Sequence, residues 1–147
     1  MIKLSRLTDY GFLVLLALGK KRGQDASASG LSEETSIPEP TCAKILKILN
    51  RADLLDSQRG AKGGYRLKKD LHDISIGEVI EAFEGRIALT ACIDHGGENC
   101  ALESVCEMNG KWSPLNKQIR ELFYNHKISD MVQTPYNSQF PNQERRA

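Results

Sequence analysis

The sequence predicts a mainly α-helical protein with one small β-hairpin, and three observations support this fold class. Apolar residues recur at helical spacing in several separate stretches of the 147-residue chain. A glycine-rich stretch in the first half is flanked by segments that favour strands. Hydrophobic residues make up 40% of the chain and charged residues 27%, which is sufficient for one core at this length.

The first predicted helix covers residues 8–21, TDYGFLVLLALGKK. Its apolar side chains wrap most of its surface, so we expect the helix to be largely buried. We expect Thr8 to be the N-cap and Asp9 to lie in the first turn. Lys20 and Lys21 suit the last turn because cations stabilise the C-terminal end of a helix. The following stretch, RGQDASASG, has the composition of a loop.

Residues 31–52 predict two helices separated by a tight break. A short helix covers about Leu31 to Thr35, and Pro38 and Pro40 prevent it from running on. Pro40 suits the first turn of a second helix, which runs to about Ala52. The second helix has an apolar face, Cys42, Ile45, Leu46 and Leu49, and a basic face, Lys44, Lys47 and Arg51. This arrangement is a helix-turn-helix.

The next segment predicts a basic β-hairpin. Its arms are Leu54–Arg59 and Tyr65–Leu67, and the glycines that mark the bend are Gly60, Gly63 and Gly64. The basic residues on this hairpin are Arg59, Lys62 and Arg66. A basic hairpin directly after a helix-turn-helix is a wing, so the predicted fold is a winged helix-turn-helix.

Duplex DNA is the partner that this arrangement predicts. Residues 1–70 contain 13 Lys and Arg against 8 Asp and Glu, net +5, whereas residues 71–147 are net −4. The start of a recognition helix reads bases and its later turns lie nearer phosphates. We therefore predict base contacts for Pro40, Thr41 and Lys44. Contacts nearer the phosphates are predicted for Lys47 and Arg51. On the wing, Arg59 is expected in a minor groove and Lys62 at the sugar–phosphate backbone. The alternative is a winged helix that binds only protein, with solvated lysines.

Two further helices are predicted after the wing. In ISIGEVIEAFEG, Ser75 and Glu78 form a capping-box pattern, and the apolar stripe is Ile76, Val79, Ile80 and Phe83. In WSPLNKQIRELFY the stripe is Leu115, Ile119, Leu122 and Phe123, which could pack on its own core or on a second copy. ISDMV suggests one more turn, and residues 133–147 are expected to be disordered.

Three of the four cysteines lie between the two helices, at Cys92, Cys100 and Cys106. Zinc sites usually need C-x2–4-C pairs, so the C-x7-C-x5-C spacing favours an iron–sulfur cluster over zinc. A redox-sensing dithiol and unrelated free thiols are the other possibilities. Cys42 lies on an apolar helix face, where we expect a buried side chain and not a ligand.

Other activities and locations are disfavoured by the sequence. The longest apolar run, Phe12 to Leu18, is short of the roughly 20 residues that cross a membrane. It is not followed by a signal-peptide cleavage pattern, so we expect a cytoplasmic protein. The histidines, His72, His95 and His126, are scattered, and no catalytic arrangement stands out, so we expect no enzyme activity.

Several motifs together resemble the IscR/NsrR family of bacterial iron–sulfur transcription regulators. They are LSRLTDYG at the start, QRGAKGGYRL in the wing, ISIGEVIEAFEG after it, and the three-cysteine loop that closes with CEMNGKW. The resemblance covers about residues 1–132, and the cysteine pattern is most similar to the branch that regulates SUF iron–sulfur assembly genes.

The resemblance implies how the chain is organised. It implies a DNA-binding domain at 1–70, a cluster loop with dimerisation helices at 71–132, and a homodimer. The stripe from Leu115 to Phe123, with the first helix, would pack in that dimer. It also implies a [2Fe-2S] or [4Fe-4S] cluster on the three loop cysteines, an operator of two half-sites, and Arg59 in the minor groove.

The chain departs from the family pattern at the fourth ligand. IscR-type members have a histidine where this chain has Asn109, and the first cysteine gap is longer here. NsrR-type members use an aspartate from the other subunit, which matches Asp9. His95 and Glu107 are competitors by sequence. The recognition-helix glutamate of IscR-type members corresponds to Ala43, so their operator preference does not carry over.

The sequence therefore predicts a homodimeric transcriptional repressor that senses iron–sulfur status, oxidants or nitric oxide through its cluster. It would control iron–sulfur assembly genes. The alternative is a zinc- or thiol-based winged helix that binds protein partners.

Overall fold

The computed structural model describes residues 3–58, 60, 63–93 and 105–133. Its elements in chain order are α1 (Arg6–Lys20), α2 (Ala28–Thr35), α3 (Glu39–Arg51), β1 (Leu55–Gln58), β2 (Gly64–Leu67), α4 (Ile76–Glu84), α5 (Ser113–Asn125) and α6 (Ile128–Gln133). The mainly helical fold with one antiparallel hairpin is confirmed. The 133–147 tail falls outside the described residues from position 134 onward.

The first helix begins earlier than predicted, and its N-cap is Ser5 and not Thr8. The Ser5 side chain accepts a hydrogen bond from the Thr8 N–H at 3.2 Å. Thr8 is fully buried, and its hydroxyl donates a hydrogen bond to the Glu84 carboxylate at the end of α4. The helix is less buried than predicted, since Leu13 is 44% exposed.

The helix-turn-helix is formed by α2 and α3, which pack together. Helix α2 starts at Ala28, three residues before the predicted Leu31, because Ser27 caps it through the Gly30 N–H at 3.1 Å. Part of the expected RGQDASASG loop is therefore helical. Helix α2 ends at Thr35 and is followed by the C-cap Ser36, which has a left-handed φ of 59°. The predicted break and Pro40 in the first turn of α3 are confirmed.

The wing is anchored to the start of the helix-turn-helix. Ala26 and Tyr65 exchange two backbone hydrogen bonds of 2.9 Å, so the chain before α2 runs beside β2. Gly64 belongs to β2 and not to the bend. A Cβ atom at Gly64 would lie 2.8 Å from the Ala26 carbonyl oxygen, which explains the glycine. The anchoring fixes the hairpin relative to α2.

Helices α4, α5 and α6 form the second half of the fold. The Ser75–Glu78 capping box is present as predicted. The turn after α5 pairs with the residues before α4, because the Ile76 N–H donates to the His126 carbonyl and the Ile128 N–H donates to the Ile74 carbonyl. This bridge ties α6 to the base of α4 and places Ile128 in the core.

One hydrophobic core joins both halves. Its largest fully buried side chains come from α1, α2, α3, the wing and the α4–α6 unit, and include Leu15, Leu18, Leu31, Ile45, Leu46, Leu49, Leu54, Ile74, Val79 and Ile128. Helix α1 contacts α2, α3 and α4 and so lies at its centre. None of the helices in the described ranges combines the length and apolar character needed to cross a membrane.

Candidate nucleic-acid interface and metal centre

The exposed face of α3 carries a row of cations. Lys44, Lys47 and Arg51 are all exposed and stand at positions i, i+3 and i+7. No salt bridge within the described residues neutralises them, whereas Lys68 pairs with Asp53 just beyond the helix. Such a row is available to phosphates, whose binding releases counterions from the duplex.

The predicted base-proximal residues continue this row toward the start of α3. Pro40 is exposed and lies one helical turn before Lys44. Thr41 is half-buried, and its N–H donates to the Pro38 carbonyl at 2.9 Å. The structure therefore places all five predicted α3 residues along one accessible side of the helix.

The opposite face of α3 holds it in the core. Cys42 is fully buried, as expected, and its thiol contacts the Ile37 carbonyl at 3.5 Å. Burial raises the pKa of the Cys42 thiol, so it remains protonated at neutral pH. Cys42 is thus part of the packing of the turn.

The wing is described only in part. The predicted contacts Arg59 and Lys62 lie outside the described residues. Arg66 stands opposite Asp56 in the strand pair, with its Nε atom 4.0 Å from the Asp56 carboxylate. This partner partly offsets the charge of Arg66 on the wing.

Two of the three loop cysteines are described, and both are exposed free thiols. Cys92 lies at the end of the segment after α4, with its Sγ atom 3.1 Å from the Thr90 hydroxyl. Cys106 lies in the turns before α5, where its carbonyl accepts a hydrogen bond from the Asn109 N–H at 3.0 Å. The two thiols are accessible and of the type that iron–sulfur clusters prefer.

The other predicted ligands are not brought together within the ranges that the structure describes. Cys100 and the competitor His95 fall outside those ranges, and Glu107 is exposed beside Cys106. Asp9 is exposed in the first turn of α1. In the described part of the chain, no group of three or more His, Cys, Asp or Glu residues could hold a metal ion.

A hydrogen-bond network connects the end of α4 to the start of α1, beside Asp9. The Glu84 carboxylate accepts hydrogen bonds from the Thr8 hydroxyl and from the Ser5 N–H, the latter at 2.8 Å. The hydrogen bond from Thr8, helped by those from Ser5, lowers the pKa of Glu84. The residue after Glu84 begins the segment that leads to Cys92. Sequence reasoning missed this network, because a glutamate at a helix end has no distinctive pattern.

A second network connects α4 to α5. The Glu81 carboxylate accepts hydrogen bonds from the Arg120 guanidinium at 2.9 Å, the Tyr124 hydroxyl at 2.5 Å and the Ile87 N–H at 3.3 Å. Burial raises the pKa of Glu81, but these hydrogen bonds outweigh it and the net pKa is lowered. The Arg120 guanidinium also lies over the Tyr124 ring, 4.9 Å from its centroid.

The same segment is held from α5 by Asn116. The Asn116 side chain is buried, and it bonds to the backbone at both Ile87 and Leu89. One signal for this residue is visible in the sequence, since Asn116 lies at i, i+3 and i+7 with Ile119 and Phe123, on a helix face where apolar residues are expected. The pattern does not reveal its partners.

These features define a winged-helix DNA-binding protein with an appended segment that presents thiols. The sequence profile of the Rrf2 family, described as an iron-dependent transcriptional regulator, matches residues 4–134. The chain therefore belongs to the Rrf2 family, and it is a transcriptional regulator and not an enzyme. The predicted resemblance to the IscR/NsrR type is confirmed.

Individual relatives agree with this assignment. The chain is 32% identical over 106 residues to the HTH-type transcriptional regulator NsrR of Bacillus subtilis (strain 168), covering 71% of this chain and 73% of that one. It is similar to the solved structure of T. potens IscR, with 26% identity, a TM-score of 0.60, and coverage of 94% and 91%. CymR, the global cysteine regulator of B. subtilis, shares the fold at 24% identity with a TM-score of 0.66, covering 90% and 97%.

The Glu81 network yields a pH prediction. The folded-state pKa of Glu81 is lowered, so its ionised form stabilises the fold above the unfolded-state value of about 4.3, and this contribution is lost as pH falls through the folded value. We expect Glu81→Gln to reduce the free energy of unfolding by about 2 kcal/mol at pH 7. The difference in the free energy of unfolding between Glu81→Gln and wild type should become smaller below about pH 4.3. Urea denaturation at several pH values measures this.

The matched control is Glu121→Gln, since Glu121 is exposed on α5 and its only described ion pair, with Lys117, is 3.8 Å long. We expect this control to change stability little at any pH. A Glu81→Gln deficit that is equally large at pH 7 and pH 3 would show that ionisation of Glu81 is not what stabilises the contact.

Proposed function

We propose that this Rrf2-family regulator binds a two-half-site operator as a homodimer and that an iron–sulfur cluster controls its affinity. The observation that carries the proposal is the position of the two described thiols. Cys92 and Cys106 are exposed and free, and the chain that leads to them leaves α4 directly after Glu84. The same glutamate holds the start of α1, which packs on the recognition helix α3.

The proposed DNA interface is the exposed side of α3 with the wing. Its N-terminal residues Pro40, Thr41 and Lys44 are assigned to base edges in the major groove. Lys47 and Arg51 are assigned to phosphates, with Arg59 in the adjacent minor groove and Lys62 at the backbone. The support for the α3 residues is the exposure of all of them except the half-buried Thr41, and the absence of described ion pairs on their side of the helix.

The proposed ligands are the thiolates of Cys92, Cys100 and Cys106, completed by Asp9 of the partner subunit. A bound cluster would supply a centre whose occupancy depends on iron supply and on oxidative or nitrosative damage. The thiolates provide soft ligands, and the exposure of Asp9 at the start of α1 leaves its carboxylate accessible to a second chain. The carboxylate is a weaker ligand for such a centre than a thiolate, which makes occupancy reversible.

The proposed dimer surface is the open side of α5. Leu115 is 45% exposed and Leu122, seven residues later on the same side, is 55% exposed. The other side of α5 is used for packing, because Asn116 and Tyr124 face α4 and the segment after it. An apolar stripe left open on a helix is suited to a second copy of the same helix.

The proposed linkage runs through α4 and α1. Ligation at Cys92 restrains the segment after α4, and Glu84 passes this restraint to Ser5 and Thr8. Because α1 packs directly against α3, its position sets the orientation of the recognition helix. Cluster binding at the thiols and binding to the operator then shift the same equilibrium, between a conformation that binds the operator strongly and one that binds it weakly.

Salt dependence tests the phosphate contacts. We expect Lys47→Ala to weaken duplex binding about equally for all sequences and to reduce the slope of log affinity against log salt by about 1, because one phosphate is no longer neutralised. Fluorescence anisotropy with a labelled duplex at several salt concentrations measures the slope. Lys117→Ala, which replaces an exposed lysine on α5, is the control and should leave the slope unchanged. An unaltered slope in Lys47→Ala would remove Lys47 from the interface.

Spectroscopy tests the proposed ligand set. We expect anaerobically purified wild type to contain iron and acid-labile sulfide, and Asp9→Ala to have a changed Mössbauer spectrum because one iron loses its oxygen ligand. Asp73→Ala, which replaces an exposed acid in the turn before α4, is the control and should match wild type. Identical spectra for wild type and Asp9→Ala would remove Asp9 as a ligand, and zinc without visible absorbance would contradict the cluster itself.

A further inference from the structure

We propose that Asn116 is a positioning residue that presets Cys92 for cluster binding, an inference that rests on the proposed function. Asn116 makes no hydrogen bond to either of the two described thiols. Its side chain is 6% exposed and lies in the first turns of α5, at the exit of the cysteine segment. From there it reaches across to the entrance of the same segment, whose described residues belong to no helix or strand.

The Asn116 amide makes two complementary hydrogen bonds to the entrance. Its Oδ1 atom accepts from the Leu89 N–H at 2.9 Å, and its Nδ2 atom donates to the Ile87 carbonyl at 3.1 Å. This pairing satisfies a backbone donor and a backbone acceptor two residues apart, as a neighbouring strand would. Only a side chain with both a donor and an acceptor can do this, so neither an acid nor an apolar residue can replace it.

The entrance is also held from α4. The Ile87 N–H donates to the Glu81 carboxylate at 3.3 Å, so both polar backbone groups of Ile87 are bound. Glu81 is itself fixed by Arg120 of α5. The peptide units of Ile87 and Leu89 therefore have a defined position relative to both helices, and Cys92 follows Leu89 by three residues.

The exit of the segment leads directly into the first turns of α5. The Asn116 N–H donates to the Trp112 carbonyl at 2.9 Å, and the preceding turns run back to Cys106 through the Lys111 N–H and the Asn109 N–H. Asn116 therefore stands on the helix into which the Cys106 side of the segment leads, while its side chain holds the Cys92 side. The loop that it closes is long, because Leu89 and Asn116 are 27 positions apart in the chain.

The closed loop lowers the entropy cost of bringing the cysteine thiolates together around one cluster. Fixing both ends of a long loop removes chain entropy that ligand binding would otherwise have to overcome. Residues that orient ligands without touching the metal commonly change metal affinity by about 10- to 100-fold. Asn116 should therefore control how long a cluster is retained and leave its ligand set unchanged.

The test compares Asn116→Asp with Asn125→Asp. Both substitutions add one negative charge to α5, but Asn125 is exposed at its last turn and has no hydrogen bond to the described part of the cysteine segment. Asn116→Asp keeps the acceptor for Leu89 and places an oxygen against the Ile87 carbonyl. We expect iron loss to a chelator, measured anaerobically on the reconstituted dimer, to be on the order of 10- to 100-fold faster in Asn116→Asp. The absorption spectrum before iron loss should match wild type.

Amide hydrogen exchange of the metal-free protein provides the second readout. We expect the Leu89 amide to exchange roughly tenfold faster in Asn116→Asp than in wild type, because repulsion between the new carboxylate oxygen and the Ile87 carbonyl pushes the side chain away from both backbone partners. A tenfold change corresponds to about 1.4 kcal/mol. Amides of α3 should keep their wild-type rates, which would show that the fold is intact. The Asn125→Asp control should match wild type in both measurements.

The outcomes separate the two proposals. A wild type that holds a cluster, with Asn116→Asp losing iron at the same rate, overturns the role of Asn116 and leaves the proposed function standing. A Leu89 amide that is unprotected in metal-free wild type also overturns it. A wild type that binds no iron overturns the proposed function and the inference together, even if the exchange result shows that the clamp exists.

Discussion

Helix α4 is held on both sides by contacts so close that neither interface has room for one more methyl group. A Cβ atom at Gly11 of α1 would lie 2.5 Å from the Phe83 ring, and one at Gly77 of α4 would lie 2.5 Å from the Tyr124 ring. Close-packed contacts have low compressibility and transmit strain between the elements that they join. A shift of α4 must therefore be shared by α1 and α5.

Hydrogen bonds from side chains of α4 also connect this helix to α1 and α5. At the end of α4, Glu84 is bound to the start of α1, and one turn earlier Glu81 is bound to α5. Both carboxylates have lowered pKa values because their partners donate to the ionised form. The segment that leads to Cys92 begins beside these two anchors. The proposed sensing centre is thus attached to a helix that contacts both the DNA-binding half and the proposed dimer helix.

The features that the sequence predicted well are those set by local chemistry. The Ser75 capping box, the proline break before α3, the buried Cys42 and the basic face of α3 all depend on residues within one or two turns. The predicted winged helix was correct for the same reason, since periodicity and glycine positions are visible in a single chain.

The features that were missed depend on partners far along the chain. Thr8 was wrong as an N-cap because its hydroxyl is engaged by Glu84, 76 residues away. Gly64 was wrong as a bend residue because the Ala26 backbone lies against it. Asn116 was not singled out because its partners lie 27 and 29 residues before it. The predictions for Arg59, Lys62 and Cys100 concern residues outside the described ranges and stay predictions.

The most direct test of the proposed linkage is the affinity of one protein preparation for operator DNA before and after its iron is removed. A duplex obtained by binding-site selection would be titrated anaerobically with cluster-loaded protein and with the same protein after chelation. We predict a difference in affinity of about 5- to 150-fold, the usual range of coupling between two sites. The difference should disappear in Cys106→Ala and persist in Cys42→Ala, whose thiol is buried in the core. Equal affinity of the two wild-type forms would contradict the proposed linkage.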